Sequence, residues 1–170
     1  MREATIISIS RLLSLVFVTT AAAVPARADF QNTSWGMSVE EVRRAVPETR
    51  ANADRGKDIS KIGQTALLTA PLELSGLSVR AYFLFDRNEA LVSVDVETDP
   101  EDCVTMLMAI RQGYGIPEDE RHTKIAMSAF WSHTDSGNRL RYLKLGLPGQ
   151  ETKMCQVRYE PIRKVGDGNF

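Results

Sequence analysis

The chain has 170 residues, with 21 Lys+Arg against 22 Asp+Glu, 43% hydrophobic and 25% charged residues, and only 2 Cys. That is a globular composition, and it excludes collagen-like, disordered, coiled-coil and disulfide-dense classes. The length allows one domain with its own core, or at most two very small ones.

The first 28 residues read as a leader rather than as part of the fold. A basic start (Arg2, Arg11) precedes an apolar run over residues 12–24, which ends in Ala26-Arg27-Ala28. Small residues at −3 and −1 suit signal peptidase. The run is shorter than the ~20 residues a membrane span requires, so no transmembrane segment is expected. Cleavage after Ala28 leaves Asp29 as the amino terminus. No Cys lies near that junction to carry a lipid, so the expected product is an exported protein of the bacterial periplasm or exterior.

Removal of the leader leaves 18 bases against 21 acids, and the two kinds segregate. Residues 29–120 hold nine bases and seventeen acids, whereas residues 121–164 hold nine bases and three acids. A nucleic-acid partner is not expected, because such proteins are normally basic overall. The basic second half suits an anionic lipid, a glycan or an acidic protein, or it complements the acidic half within the fold.

The first element is a helix. Ser38 is its N-cap, Glu41 follows at the capping-box position, and Met37 is placed to staple onto Val42. Val39, Val42 and Val46 form its apolar face and Pro47 stops it. Residues 48–65 are polar, with Gly56 and Gly63, and read as a mobile surface connection. Residues 66–74 are apolar but carry Pro71, which suits an edge or a bulge. Leu77, Val79, Ala81, Phe83 and Phe85 then alternate with Ser78, Arg80, Tyr82 and Leu84. After a turn at 86–89, Ala90, Val92, Val94 and Val96 alternate with Leu91, Ser93, Asp95 and Glu97. The two runs predict a β-hairpin.

A second helix begins at Asp99, with Pro100 at its first position and Glu101 and Asp102 in the first turn, where the helix dipole favours acids. Cys103, Met106, Leu107, Ile110 and Tyr114 form one apolar stripe that needs a sheet to cover it. Gly113, Gly115 and Pro117 end the helix. Three strands fit the remainder, over residues 125–132, 140–145 and 154–161, and residues 164–170 read as a loose tail. The predicted fold is a single α+β domain over 29–163. It has a mainly antiparallel sheet of about five to six strands with two helices on one face, in the order α-βββ-α-βββ. Each half opens with a capped helix and continues as a meander, but no residue-level repeat stands out.

No catalytic pattern emerges. Cys103 and Cys155 both point to the core, which fits either one disulfide, as an oxidising compartment favours, or two buried thiols. His122 and His133 lack the further ligands a zinc site requires, so neither a metal nor a cofactor is expected. A hydrolase built around His122, His133 and Asp135 is one alternative, but no nucleophile elbow is present. Carboxylate pairs such as Glu40/Glu41 and Glu101/Asp102 are explained by helix starts. A carrier with an apolar pocket between helices and sheet is another alternative. Trp35 and Trp131 read as packing residues. Arg139, Arg141 and Arg158 are the candidate binding residues, since alternation can place them on the wet face of the sheet. Leu143 and Leu145 share the parity of Arg141, so this register requires a bulge or a two-sided strand.

The segment Trp35-Gly36-Met37-Ser38-Val39-Glu40-Glu41-Val42 resembles the opening of small exported α/β proteins of the β-lactamase-inhibitor-like and outer-membrane assembly lipoprotein group. Tyr114-Gly115-Ile116-Pro117 is similar to the phrase that closes helices there. The chain departs from that group in lacking a lipid-bearing Cys and in placing strands between its helices. The resemblance implies a non-catalytic module of the cell envelope. Its partner would be an envelope protein or an anionic glycan or lipid, met through an open sheet face.

Overall fold

A computed structural model describes residues 29–54, 63–133, 136–146 and 151–162. The proposed leader and the tail lie outside the described residues. A small hairpin, β1 (Asp29–Phe30) and β2 (Thr33–Ser34), precedes helix α1 (Val39–Ala45). Four strands follow: β3 (Arg50–Ala51), β4 (Thr65–Leu74), β5 (Leu77–Phe85) and β6 (Leu91–Thr98). After helix α2 (Cys103–Tyr114) come β7 (Asp119–His122), β8 (Ala126–His133), β9 (Asn138–Gly146) and β10 (Thr152–Pro161).

β3 to β10 form one antiparallel sheet in the order β3-β4-β5-β6-β10-β9-β8-β7. The sheet thus has eight strands rather than five to six, and the order is α-ββββ-α-ββββ. The two strands not anticipated, β3 and β7, are its outer edges. β3 is two residues long and β7 reads Asp-Glu-Arg-His, so neither carries an alternating apolar signal. Short, charged strands are what blunts a sheet edge against further pairing. The connection expected over 48–65 accordingly begins as sheet, with Arg50 opposite Thr69 and Ala51 opposite Leu68. Residues 55–62 lie outside the described residues. Pro71 sits on β4 beyond the reach of β3, where its missing N–H costs no ladder bond.

The capping box at α1 forms as expected: the Ser38 N–H donates to Glu41 Oε2 at 2.8 Å and the Glu41 N–H donates to Ser38 Oγ at 3.4 Å. Val42 is fully buried. The second helix starts later than expected. Pro100–Asp102 is a 3-10 turn after Asp99, and the α-helix runs from Cys103 to Tyr114, ended by Gly115 with its φ of 80°. Both helices cover the same sheet face. Val42, Cys103, Met106 and Ile110 share one core with Phe83, Phe85, Val94, Val96, Tyr142 and Val157. The alternation read in β6 breaks at a bulge, where Leu84 pairs with Ser93 but Phe85 with Leu91. Leu91 therefore joins Val94 and Val96 on the core face. β9 needs no bulge: Leu140 and Tyr142 are buried while Arg141, Leu143 and Leu145 take the opposite face, so the strand is two-sided.

The halves are equivalent at a spacing of 61 residues. β4 and β8 start at 65 and 126, β5 and β9 at 77 and 138, and β6 and β10 at 91 and 152. The caps Ser38 and Asp99 keep the same spacing, as do the turn residues Ser75-Gly76 and Ser136-Gly137 and the bulged residues Val92 and Lys153. The halves meet antiparallel through their fourth strands, with Val96 opposite Val157 near an internal two-fold axis.

Cys103 and Cys155 form a disulfide, with Cα atoms 5.6 Å apart, that ties the start of α2 to β10. Sixty-one residues earlier stand Val42 and Val94, both fully buried. The repeat thus tolerates an apolar pair where the bridge sits. In the chain-entropy model, opening a loop of 52 residues removes ~4 kcal/mol. We expect Cys103→Val/Cys155→Val to unfold cooperatively in urea with its stability lowered by about that amount. A chain that no longer unfolds cooperatively would contradict the equivalence. Beside the bridge, Tyr142 donates its hydroxyl to the Cys103 carbonyl at 2.9 Å, and burial pushes its pKa up to about 12. Tyr114 and Tyr159 are raised in the same direction by burial. Above pH ~10 the unfolded phenols release protons that the native state retains, so stability is complete below that pH and falls above it. Tyr142→Phe is expected to flatten that fall in pH-dependent denaturation.

Candidate functional site

No helix of the described residues lies on the second sheet face, and the three candidate arginines converge there. Pairing continues across all eight strands in one row: Arg50, Thr69, Tyr82, Asp95, Arg158, Arg141, Phe130 and Asp119. Arg139 stands one position along, opposite Glu160 and Ser132.

The three differ in how their charge is answered. Arg158 makes a bidentate pair with Asp95, Nε to Oδ1 at 2.6 Å and Nη2 to Oδ2 at 2.5 Å, and the two side chains are only 11% and 7% exposed. Burial works against the charged guanidinium, but the hydrogen bonds and charge of Asp95 outweigh it and raise the Arg158 pKa. Arg139 places Nε and Nη2 on Glu160 Oε1 at 2.9 and 2.6 Å. Arg141 has no carboxylate partner among the described residues. It stands directly between Arg158 and Phe130, and the first of these contacts is a like-charge pair that Asp95 relieves. Of the three candidates, Arg141 is therefore the one whose guanidinium is uncommitted among the described residues.

Around Arg141 the face is apolar. Leu143 and Leu145 on β9, Phe130 on β8 and Met154 on β10 are all half-buried there. Arg121 on β7 lies 5.9 Å from the centre of the Phe130 ring, a cation–π contact, and is paired with Asp119. Sequence reasoning missed both the carboxylate partners and this patch. The signal available for the patch was the shared parity of Arg141, Leu143 and Leu145.

The histidines do not assemble a site. His122 on β7 contacts Glu120 through Nε2 at 2.9 Å, and Glu120 also receives Arg111. The bond to His122 and the bond and charge of Arg111 hold the exposed Glu120 carboxyl below its usual range. His133 contacts Ser136 Oγ through Nδ1 at 2.9 Å and meets the Tyr114 ring edge-on. His122 pairs with Met127, six residues along β8 from His133, which separates them by ~20 Å. Asp135 lies outside the described residues. Among those described, no group of three His, Cys, Asp or Glu is placed to hold a metal ion, and no helix is long and apolar enough to cross a membrane. The layer between helices and sheet, where a carrier would hold its ligand, is filled by Met106, Ile110, Phe83 and Tyr142. Trp131 is core and donates Nε1 to the Gly115 carbonyl at 3.0 Å, and half-buried Trp35 donates to Asn138 Oδ1 at 2.9 Å.

No family model, curated protein or solved structure matches this chain.

Asp95 and Arg158 join the two halves at their seam, and their burial makes the loss of one partner costly. Asp95→Ala is expected to destabilise the protein by ~3 kcal/mol in urea unfolding, because it strands a buried guanidinium. The double variant Asp95→Leu/Arg158→Met is expected to lose less than that single one.

Proposed function

We propose that this protein is a non-catalytic, exported module of the cell envelope, acting through the open face of its sheet. The partner is another protein or an anionic glycan or lipid. The observation that carries this reading is the sheet face that no helix of the described residues covers, on which Arg141, without a carboxylate partner among the described residues, stands among half-buried apolar residues. A face of that composition has the mixed apolar and Arg character of interface cores. The disulfide supports an oxidising compartment, in line with the leader read at residues 1–28. The resemblance of residues 35–42 to envelope proteins points the same way.

Two measurements test this. In a bacterial host the mature protein is expected in the osmotic-shock fraction with Asp29 as its first residue, and retention of residues 1–28 would count against export. A photo-crosslinking amino acid at Gln156, on the open face, is expected to give a defined adduct in cells, whereas one at Met108 on the outside of α2 gives none. Equal labelling from both positions would sink the open-face reading.

A further inference from the structure

The two halves share their strands and caps but not the cover over the second face. In the first half the part of that face next to the β4 entry is buried: Leu84 and Ser93 are fully enclosed and Tyr82 is 6% exposed. Part of the cover is the chain entering β4. Gln64, itself buried, reaches past β5 to accept a hydrogen bond from Ser93 Oγ on β6 at 3.3 Å, and Gly63 lies against the Arg87 side chain. Sixty-one residues on, the same three positions are Leu143, Leu145 and Met154, and none is enclosed. The second half uses the corresponding stretch differently. α2 has 12 residues against 7 in α1, and β7 turns straight into β8, where the Thr123 N–H donates to the Ala126 carbonyl at 2.8 Å. Ile125, the counterpart of Gln64, points away and is 54% exposed. Among the described residues no chain at that end lies over the sheet, yet the surface beneath is more apolar than its twin, with Met154 for Ser93 and Phe130 for Thr69.

From this we infer that the β8–β10 part of the open face is the docking site for an extended segment of a partner protein. The segment takes the place that Gly63 and Gln64 hold in the first half. It presents apolar side chains to Leu143, Leu145, Met154 and Phe130 and a carboxylate to Arg141. An extended occupant follows from the internal counterpart, where Gln64 leads straight into β4, and the carboxylate follows from Arg141, which has no acidic partner among the described residues. Exposed apolar surface of this kind marks interaction sites. The inference rests on the open-face reading above and narrows it to one half of the sheet and one class of partner.

The test selects a random displayed-peptide library on the full chain from Asp29, disulfide intact. Enriched peptides are expected to alternate apolar residues and to carry an Asp or Glu. For the best synthetic peptide, Arg141→Glu and Leu143→Ser are each expected to weaken binding by on the order of tenfold or more, while Met108→Ser leaves it unchanged. Both variants are checked for the disulfide and for an unchanged melting temperature, since both positions are surface-accessible. Peptides lost on Arg80→Glu but not on Arg141→Glu would overturn the location while leaving the open-face reading standing. Failure to enrich any peptide that depends on this face would overturn the inference. If photo-crosslinking at Gln156 also fails, the wider reading falls with it. Self-association abolished by Leu143→Ser would replace the partner by a second copy of this chain. Binding to phosphatidylglycerol vesicles that the peptide cannot displace would replace it by lipid.

Discussion

The pairing of β6 with β10 is the constraint on which the rest of this molecule depends. Each half builds its own meander through short turns, so its strands find neighbours close in sequence. Among the strands of the sheet, β6 and β10 are the pair that joins the halves, with Val96 opposite Val157 and Asp95 opposite Arg158. That closure spans about sixty residues, and it carries the entropic cost of a long loop before any contact rewards it. Three features offset the cost at one place: the two valines in the core, the bidentate ion pair on the other face, and the Cys103–Cys155 bridge. The ion pair also supplies specificity. A one-residue slip of β10 would turn Arg158 into the core and leave Asp95 without its partner, so the seam permits a single register.

Symmetry about that seam explains both what the halves share and where they part. Equivalent strands, caps and bulges recur because each half must solve the same problem of laying a capped helix over a four-stranded meander. The difference arises between cap and second strand, where the same length of chain carries a helix of 7 residues in the first half and one of 12 with a tight hairpin in the second. A residue used to lengthen α2 is not available to cover the sheet. The half-buried apolar surface on β8, β9 and β10 thus goes with the longer α2 rather than with a local accident of composition.

Much of the architecture was legible because its signals are local. Ser38, Glu41 and Met37 specify a helix start through contacts within one turn, and the alternation through Leu77, Val79, Ala81, Phe83 and Phe85 specifies a strand through the pleat alone. β3 and β7 were illegible because an edge strand is held by its neighbour's hydrogen bonds and needs no apolar face. The bulge at Val92 was illegible for a related reason: it is set by the partner strand's register. At the candidate site, the parity of β9 correctly put Arg141 opposite the core. The carboxylates that occupy Arg139 and Arg158 lie on other strands, and Asp95 is 63 residues from Arg158. Counting bases along residues 121–164 therefore overstated the positive charge available at the surface. The segregation of charge into an acidic and a basic half is real, but at the seam it is spent largely on joining the two.

What the sequence determined by itself was the set of elements whose causes lie within a few residues: two helices, the first with its capping box, the long alternating strands, their turns and the inward aim of both cysteines. Only the tertiary structure decided that the cysteines meet, that the halves are equivalent at a spacing of 61, and that one arginine of three stays uncommitted. Those outcomes depend on which strand lies beside which. Strand neighbours in an antiparallel sheet are chosen by side-chain complementarity across long stretches of chain, so no reading confined to a local window contains them.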